Sequence, residues 1–208
     1  MKTICIDNSI FSNKEVSHLC DQWLLYIKEE QLLSLNTYNA YAIDLKYFLK
    51  FLNEHYGNKI SIKNLENLTL RDFRSWLSSQ KIKNNNLSPK SQARSKAAIK
   101  AFFRFLNKKK YVKNTIIFTL QPAKINKQIP RPLSFKEVIN IIKISGEKND
   151  WTGLRDKTLF TLIYAAGLRI SEALQLNIID VKNMDILRVT GKGGKIRDLE
   201  GIPIGVKD

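Results

Sequence analysis

The chain has 208 residues, of which 43% are hydrophobic, and it carries a net charge of +16 with only two cysteines. This length and apolar content suit one mid-sized domain or two small ones, each with a real core. No apolar run approaches the roughly 18 residues that span a bilayer, and the N-terminus lacks the pattern of a signal peptide. Membrane and secreted classes are therefore excluded, and a cytoplasmic location is expected.

Apolar residues recur at helical spacing in four segments of the first half of the chain. The predicted helices span about 13–33, about 36–57, the segment that starts at Thr69, and about 89–106. Gly57 is expected to end the second helix. Ser88 followed by Pro89 is a strong start signal for the fourth, because proline at the first helical position loses no intrahelical hydrogen bond. We therefore predict a four-helix N-terminal domain.

Positive charge is concentrated between positions 73 and 136. This span holds sixteen Lys or Arg and no Asp or Glu, whereas the remainder is balanced, with nineteen basic and nineteen acidic residues. Protein surfaces normally mix both signs, and segregation on this scale is typical of proteins that bind a polyanion. A lysine-rich composition without any partner is the alternative.

The fourth predicted helix separates apolar from basic residues. Its core-facing residues are expected to be Ala97, Ala98, Ala101, Phe102 and Phe105. Its basic residues, predicted to stand away from the core and to bind DNA, are Lys90, Arg94, Lys96, Lys100 and Arg104. Like charges at steps of four repel each other by about 0.2–0.5 kcal/mol per pair. A phosphate backbone opposite the stripe would explain them, and a solvated helix face is the alternative.

A segment with three prolines, 121–133, is predicted to be an extended linker between two domains, 1–120 and 134–208. Its basic residues are Lys124, Lys127 and Arg131. Ser134 and Glu137 have the spacing of a capping box, so regular structure is expected to resume directly after the linker.

The second domain is predicted to combine short helices with a small β-ribbon. Helices are expected at about 154–166 and 171–176, with Gly167 in the left-handed conformation between them. Alternating apolar residues then predict two strands, 185–190 and 196–204, joined by a glycine-rich turn.

Three residues of this domain suit chemistry on a phosphodiester. A guanidinium can hold two of the oxygens on which charge builds in the transition state, and Arg169 lies between a glycine stop and a helix start, where the backbone can fix it. Glu172 can share a helical face with Arg169. Lys192 lies in the glycine-flanked turn, within reach of a bound backbone. Taken singly, these features are an ordinary helix salt bridge and a plain hairpin turn.

Together, the motifs resemble the tyrosine recombinase family, and within it the Xer type. The resemblance rests on Gly-Leu-Arg-Ile-Ser-Glu-Ala-Leu-Gln-Leu from Gly167, and on a strand that ends in Gly-Lys-Gly-Gly-Lys-Ile-Arg from Gly191. It implies that Arg169 is the family's first catalytic arginine, that Glu172 is its acidic partner, and that Lys192 is the general acid for the departing 5′-oxygen.

The resemblance also implies a fold and partners. The fold would be mainly α, with an N-terminal four-helix core-binding (SAM-like) domain and the start of an α+β catalytic domain that bears a small antiparallel β-ribbon. The two domains would clamp duplex DNA, with the basic linker along its backbone. The full enzyme would act as a tetramer on a double-stranded recombination site, alone or with a partner recombinase or DNA translocase, and would need no metal, nucleotide or other cofactor.

The rest of the family's signature, a His-x-x-Arg pair, a His or Trp, and the nucleophilic Tyr, has no counterpart here. No tyrosine follows Tyr164 and no histidine follows His55. We therefore expect these 208 residues to bind DNA without forming a 3′-phosphotyrosyl intermediate. Three interpretations stay open: a Xer-like recombinase for chromosome dimer resolution, an integrase of a phage or mobile element, and a truncated, non-catalytic DNA-binding protein.

Overall fold

The computed structural model describes residues 8–82, 87–121, 131–148, 150–181, 186–191 and 194–200. The chain divides into two compact units, 1–127 and 128–208, which we call unit 1 and unit 2. In the described ranges the fold is mainly helical with one two-stranded antiparallel sheet, which confirms the predicted fold class. No helix within those ranges is long and apolar enough to cross a membrane.

Unit 1 is built from helices. They are α1 (Lys14–Glu29), α2 (Leu35–Tyr56), α3 (Ile62–Glu66), α4 (Leu70–Ile82), α5 (Pro89–Lys108) and a 3₁₀ turn at Ile116–Thr119. The Asn13 side chain caps α1 by accepting from the Val16 N–H at 2.9 Å. Gly57 ends α2 with φ of 69°, as predicted. The first helix is shorter than predicted because Leu32 adopts a left-handed φ of 47°. The single turn α3 was not predicted.

Aromatic rings fill the centre of unit 1. Phe48 of α2 lies edge-on to Trp76 of α4, with ring centroids 5.0 Å apart, and also contacts Phe73 and Phe103. All four side chains are buried. Full burial of one large apolar side chain contributes about 1.5–3 kcal/mol, and favourable ring pairs add about 0.5–1.5 kcal/mol. This cluster therefore fixes α2, α4 and α5 against one another.

Asn114 is a buried polar group that joins two parts of unit 1. Its side-chain amide donates to the carbonyl oxygens of Leu65, Glu66 and Leu68 at 2.9–3.0 Å. Its side-chain oxygen accepts from the Ile116 N–H at 3.0 Å. The segment after α5 is thereby attached to the end of α3 and to the loop that follows it.

Unit 2 contains short helices and the β-ribbon. Its elements are α6 (Phe135–Gly146), α7 (Trp151–Ala165), α8 (Ile170–Ala173), α9 (Ile178–Val181), β1 (Ile186–Thr190) and β2 (Ile196–Glu200). Ser134 and Glu137 form the predicted capping box. The strands pair with Leu187 opposite Leu199 and Val189 opposite Arg197. Leu162, Leu168, Ala173, Leu187 and Val189 form a small core between α7, α8 and β1.

Several boundaries in unit 2 differ from the prediction. Helix α7 starts at Trp151 because the Asp150 side chain caps it by accepting from the Gly153 N–H at 2.8 Å. Helix α8 is a single turn that starts one residue earlier and ends three residues earlier than expected. Helix α9 was not predicted. The predicted strand end at positions 201–204 and the linker residues 122–130 lie outside the described residues.

Asn114→Ala is expected to lower the free energy of unfolding of unit 1 by about 1–3 kcal/mol, because two buried carbonyl groups and one partly buried carbonyl group lose their donor. Urea unfolding followed by Trp23 and Trp76 fluorescence would measure the change. Asn53→Ala is the matched control, since Asn53 donates to a single carbonyl, that of Asn58, at the surface. An equal effect of the two substitutions would contradict the role given to Asn114.

Candidate active site

Arg169 is held at the junction of α7 and α8. Gly167, two residues after the end of α7, adopts a left-handed conformation with φ of 60° and turns the chain away from the helix axis. The backbone at Arg169 is then extended before α8 begins. The Arg169 N–H donates to Glu172 Oε2 at 2.8 Å, so the glutamate three residues on reaches back to cap its own helix. The backbone of Arg169 is thereby fixed from both sides.

Glu172 lies between two arginines. Arg169 Nη1 donates to its Oε1 at 2.6 Å, and Arg197 Nη2, from β2, donates to its Oε2 at 2.7 Å. The glutamate side chain is 3% exposed, whereas the side chains of Arg169 and Arg197 are 62% and 40% exposed. The carboxylate is thus buried and the two guanidinium groups reach solvent.

The surroundings of Glu172 keep it ionised. The hydrogen bond from the Arg169 N–H lowers the pKa of Glu172. Burial acts in the opposite direction, and the guanidinium of Arg169 and the charge of Arg197 lower the pKa further. The net result is a pKa below the ordinary value, because the charged form is the better hydrogen-bond acceptor.

Gly191, at the end of β1, lies against this pair. A Cβ atom placed on Gly191 would meet Glu172 Oε1 at 3.3 Å and Arg169 Nη1 at 3.6 Å. Its N–H donates to the Lys195 carbonyl at 2.7 Å and closes the end of the ribbon. A side chain at this position would press on the buried carboxylate. Lys192, the next residue and the predicted general acid, lies outside the described residues.

The arrangement can bind an anion. Arg169 uses one Nη on Glu172 and keeps further N–H donors on an exposed guanidinium, which suits the oxygens of a phosphate group. Across the described ranges, no three His, Cys, Asp or Glu side chains lie close enough together to hold a metal ion. The exposed guanidinium of Arg169 can stabilise negative charge that develops on a phosphate group.

Two lysines of the predicted basic stripe on α5 have internal contacts. Lys96 Nζ donates to the Gln121 carbonyl, and Lys100 Nζ donates to the Leu120 carbonyl at 3.1 Å. Lys96 is 9% exposed, so the prediction that it stands away from the core was wrong, as was the prediction that Ala97 faces the core. Burial, and then the charge of Lys100, lower the pKa of Lys96.

The other basic residues of the stripe are placed differently. Arg94 makes two hydrogen bonds, at 2.9 and 3.2 Å, to the buried carboxylate of Asp44 in α2. The Arg104 guanidinium lies 5.9 Å from the ring centroid of Phe118. Lys90 and Arg131 are exposed. Lys124 and Lys127, also predicted to bind DNA, lie outside the described residues.

Sequence reasoning gave no role to Arg197 or to the backbone at Gly191. Both belong to the Gly-Lys-Gly-Gly-Lys-Ile-Arg motif, but Arg197 is 25 residues from its carboxylate partner. The alternation of residues along the strands could have indicated Arg197. It lies opposite the buried Val189, and a charged residue on a buried face needs an oppositely charged or hydrogen-bonding partner.

Comparison with known proteins identifies the two units. The family profile described as phage integrase, N-terminal SAM-like domain, matches residues 20–110, and the profile described as phage integrase family matches residues 131–200. The fold resembles a lambda integrase tetramer bound to a Holliday junction, with a TM-score of 0.68, 15% identity, and 96% of this chain and 54% of that chain covered. It also resembles the XerH site-specific recombinase bound to a palindromic difH substrate, with a TM-score of 0.61, 20% identity, and 99% and 61% covered.

Sequence relatives agree with the profiles. Tyrosine recombinase XerC of Rickettsia typhi is 37% identical over 190 residues, which cover 90% of this chain and 62% of that protein. Tyrosine recombinase XerC of Rickettsia prowazekii is 36% identical over 191 residues, with 91% and 62% covered. The chain belongs to the phage integrase, or tyrosine recombinase, family and spans somewhat less than two thirds of these relatives.

Glu172→Gln is expected to weaken the packing of the β-ribbon on α8 at neutral pH. Because the folded-state pKa of Glu172 is lowered, its stabilisation is fully present above the ordinary value of 4.5 and is lost as the pH falls through the folded-state pKa. Amide exchange at Leu187 and Val189, corrected for intrinsic rates, should show wild-type protection falling with acid. The Gln variant should lack this acid step. Glu147→Gln, at an exposed glutamate, should behave like the wild type; an acid step retained in Glu172→Gln would contradict the assignment.

Proposed function

We propose that this chain is the DNA-binding and first catalytic portion of a site-specific recombinase that cuts and rejoins duplex DNA. In this proposal, Arg169 binds the phosphate under attack, Glu172 orients Arg169, and Lys192 donates a proton to the departing 5′-oxygen. The observation that carries the proposal is the exposed Arg169 guanidinium fixed to a buried Glu172 beside Gly191, in a chain that belongs to the tyrosine recombinase family.

The biological role that we favour is resolution of chromosome dimers in the cytoplasm by a tetramer on DNA, acting with a partner recombinase or DNA translocase. Its support is the 36–37% identity to proteins named tyrosine recombinase XerC. An integrase of a phage or mobile element would use the same chemistry on other sites, and the phage integrase profiles are compatible with it. The two roles are distinguished by the DNA that the full enzyme recombines. Recombination of a chromosomal site favours dimer resolution, and recombination of the ends of a mobile element favours an integrase.

We propose that α5 contacts DNA through those basic side chains whose charged groups are not already bound to other parts of the protein. Lys90 is exposed and forms no ion pair or hydrogen bond with the described residues, whereas Lys96 and Lys100 bind backbone carbonyls. Phosphate contacts release counterions and make binding depend steeply on salt. Lys90 is therefore the cleanest test of the surface.

Lys90→Ala is expected to weaken binding to a mixed-sequence duplex and to reduce the slope of log affinity against log salt concentration by about one. Fluorescence anisotropy across a salt series would measure both. Lys63→Ala, an exposed lysine on α3 outside the basic span, should leave the slope unchanged. A shared slope for wild type, Lys90→Ala and Lys63→Ala would place the DNA elsewhere.

These 208 residues are expected to bind duplexes selected from random sequence without forming a covalent adduct, because no tyrosine follows Tyr164. Denaturing electrophoresis after incubation with nicked versions of those duplexes would detect an adduct, and one would overturn the prediction. Sequencing the coding DNA beyond the codon for Asp208 tests the alternative: an open frame with His-x-x-Arg and Tyr supports a recombinase, and a stop codon supports a non-catalytic DNA-binding protein.

A further inference from the structure

The β-ribbon carries two arginines on opposite faces. Arg188 lies directly opposite Asp198 and forms two hydrogen bonds with it, at 2.8 and 2.9 Å, on the exposed face. Arg197 lies directly opposite Val189, and directly opposite residues share a face of the sheet. Since Val189 is buried, Arg197 belongs to the face that packs on α7 and α8.

Arg197 contacts a backbone carbonyl before Arg169 and a side-chain carboxylate after it. Its Nη2 donates to the Gly167 carbonyl at 3.2 Å, two residues before Arg169, and to Glu172 Oε2 at 2.7 Å, three residues after it. The same Glu172 oxygen accepts the Arg169 N–H at 2.8 Å. The guanidinium of Arg197 therefore closes the α7–α8 junction around Arg169.

The same contact fixes the ribbon. Gly191 follows β1 and lies close to Glu172: a Cβ atom added to this glycine would be 3.3 Å from Glu172 Oε1. Arg197 of β2 donates to the other carboxylate oxygen, Oε2. Both strands of the ribbon thus approach one carboxylate, from the two sides of the same hairpin. A ribbon released from Glu172 would keep its strand pairing but lose its place beside Arg169.

We propose that Arg197 is a positioning residue, which holds the β1–β2 ribbon on Glu172 and so sets where the Arg169 guanidinium and the Gly191 end of the ribbon meet the substrate phosphodiester. The inference rests on the proposed function for the identity of the substrate. It does not rest on that function for the structural role, which can be measured without DNA.

The test is NMR spectroscopy of the whole 208-residue chain, comparing Arg197→Met with the matched control Arg188→Met. Three signals are followed: the Arg169 Nε–Hε group, the Gly191 amide and the Glu172 carboxyl carbon through a pH titration. Dimethyl phosphate, the smallest phosphodiester, is then titrated in.

For Arg197→Met we expect shifted Arg169 and Gly191 signals, a higher pKa for Glu172, and affinity for dimethyl phosphate at Arg169 lower by about tenfold. Arg188→Met should match the wild type in all four measurements, and Arg197→Lys should restore part of the loss.

The outcomes separate the two proposals. Arg197→Met signals that move no further than those of Arg188→Met would overturn the positioning role. If those signals move but dimethyl phosphate does not reach Arg169 even in the wild type, Arg197 keeps its role and the proposed phosphate site fails. Unit 1 amide signals report whether each variant folds. If Arg197→Met does not fold, Arg197→Gln, which keeps a hydrogen-bond donor without the charge, decides by the same signals.

Discussion

Burying a carboxylate is costly unless charge and hydrogen bonds compensate it, and this constraint organises unit 2 around Glu172. The glutamate meets it with three donors: the Arg169 backbone, the Arg169 guanidinium and Arg197. Two of these donors belong to Arg169 at the α7–α8 junction and the third belongs to Arg197 in β2, so satisfying one carboxylate joins a helix junction to a strand. The exposed guanidinium of Arg169 is then held without losing its remaining donors.

Unit 1 uses positive charge in another way. Lys96 directs its ammonium group to the Gln121 carbonyl oxygen and Lys100 directs its own to that of Leu120, while Arg94 pairs with the buried carboxylate of Asp44. Part of the excess charge is therefore structural. A count of basic residues overstates the charge available to a polyanion, and the exposed cations define the surface better than the sequence span does.

Most of the fold follows from local signals, since caps, glycine stops and apolar periodicity placed α1, α2, α5, α6 and both strands. Arg169 and Glu172 were predictable as neighbours because they are three residues apart on one helical turn. Lys96 was misplaced because spacing along α5 cannot show that the chain after the 3₁₀ turn folds back over it. Arg197 was missed for the same reason: its partner is distant in sequence, and only strand register brings the two together.

That register has a consequence for misfolding. A shift of β2 by one residue would turn Arg197 to solvent and present Asp198 or Ile196 to Glu172 instead. Asp198 would set two carboxylates against each other, and Ile196 would leave the glutamate without its second cation. The Arg197–Glu172 ion pair therefore selects the same alignment as the Arg188–Asp198 pair on the other face, and a hairpin of five paired positions has its register set by charge on both faces.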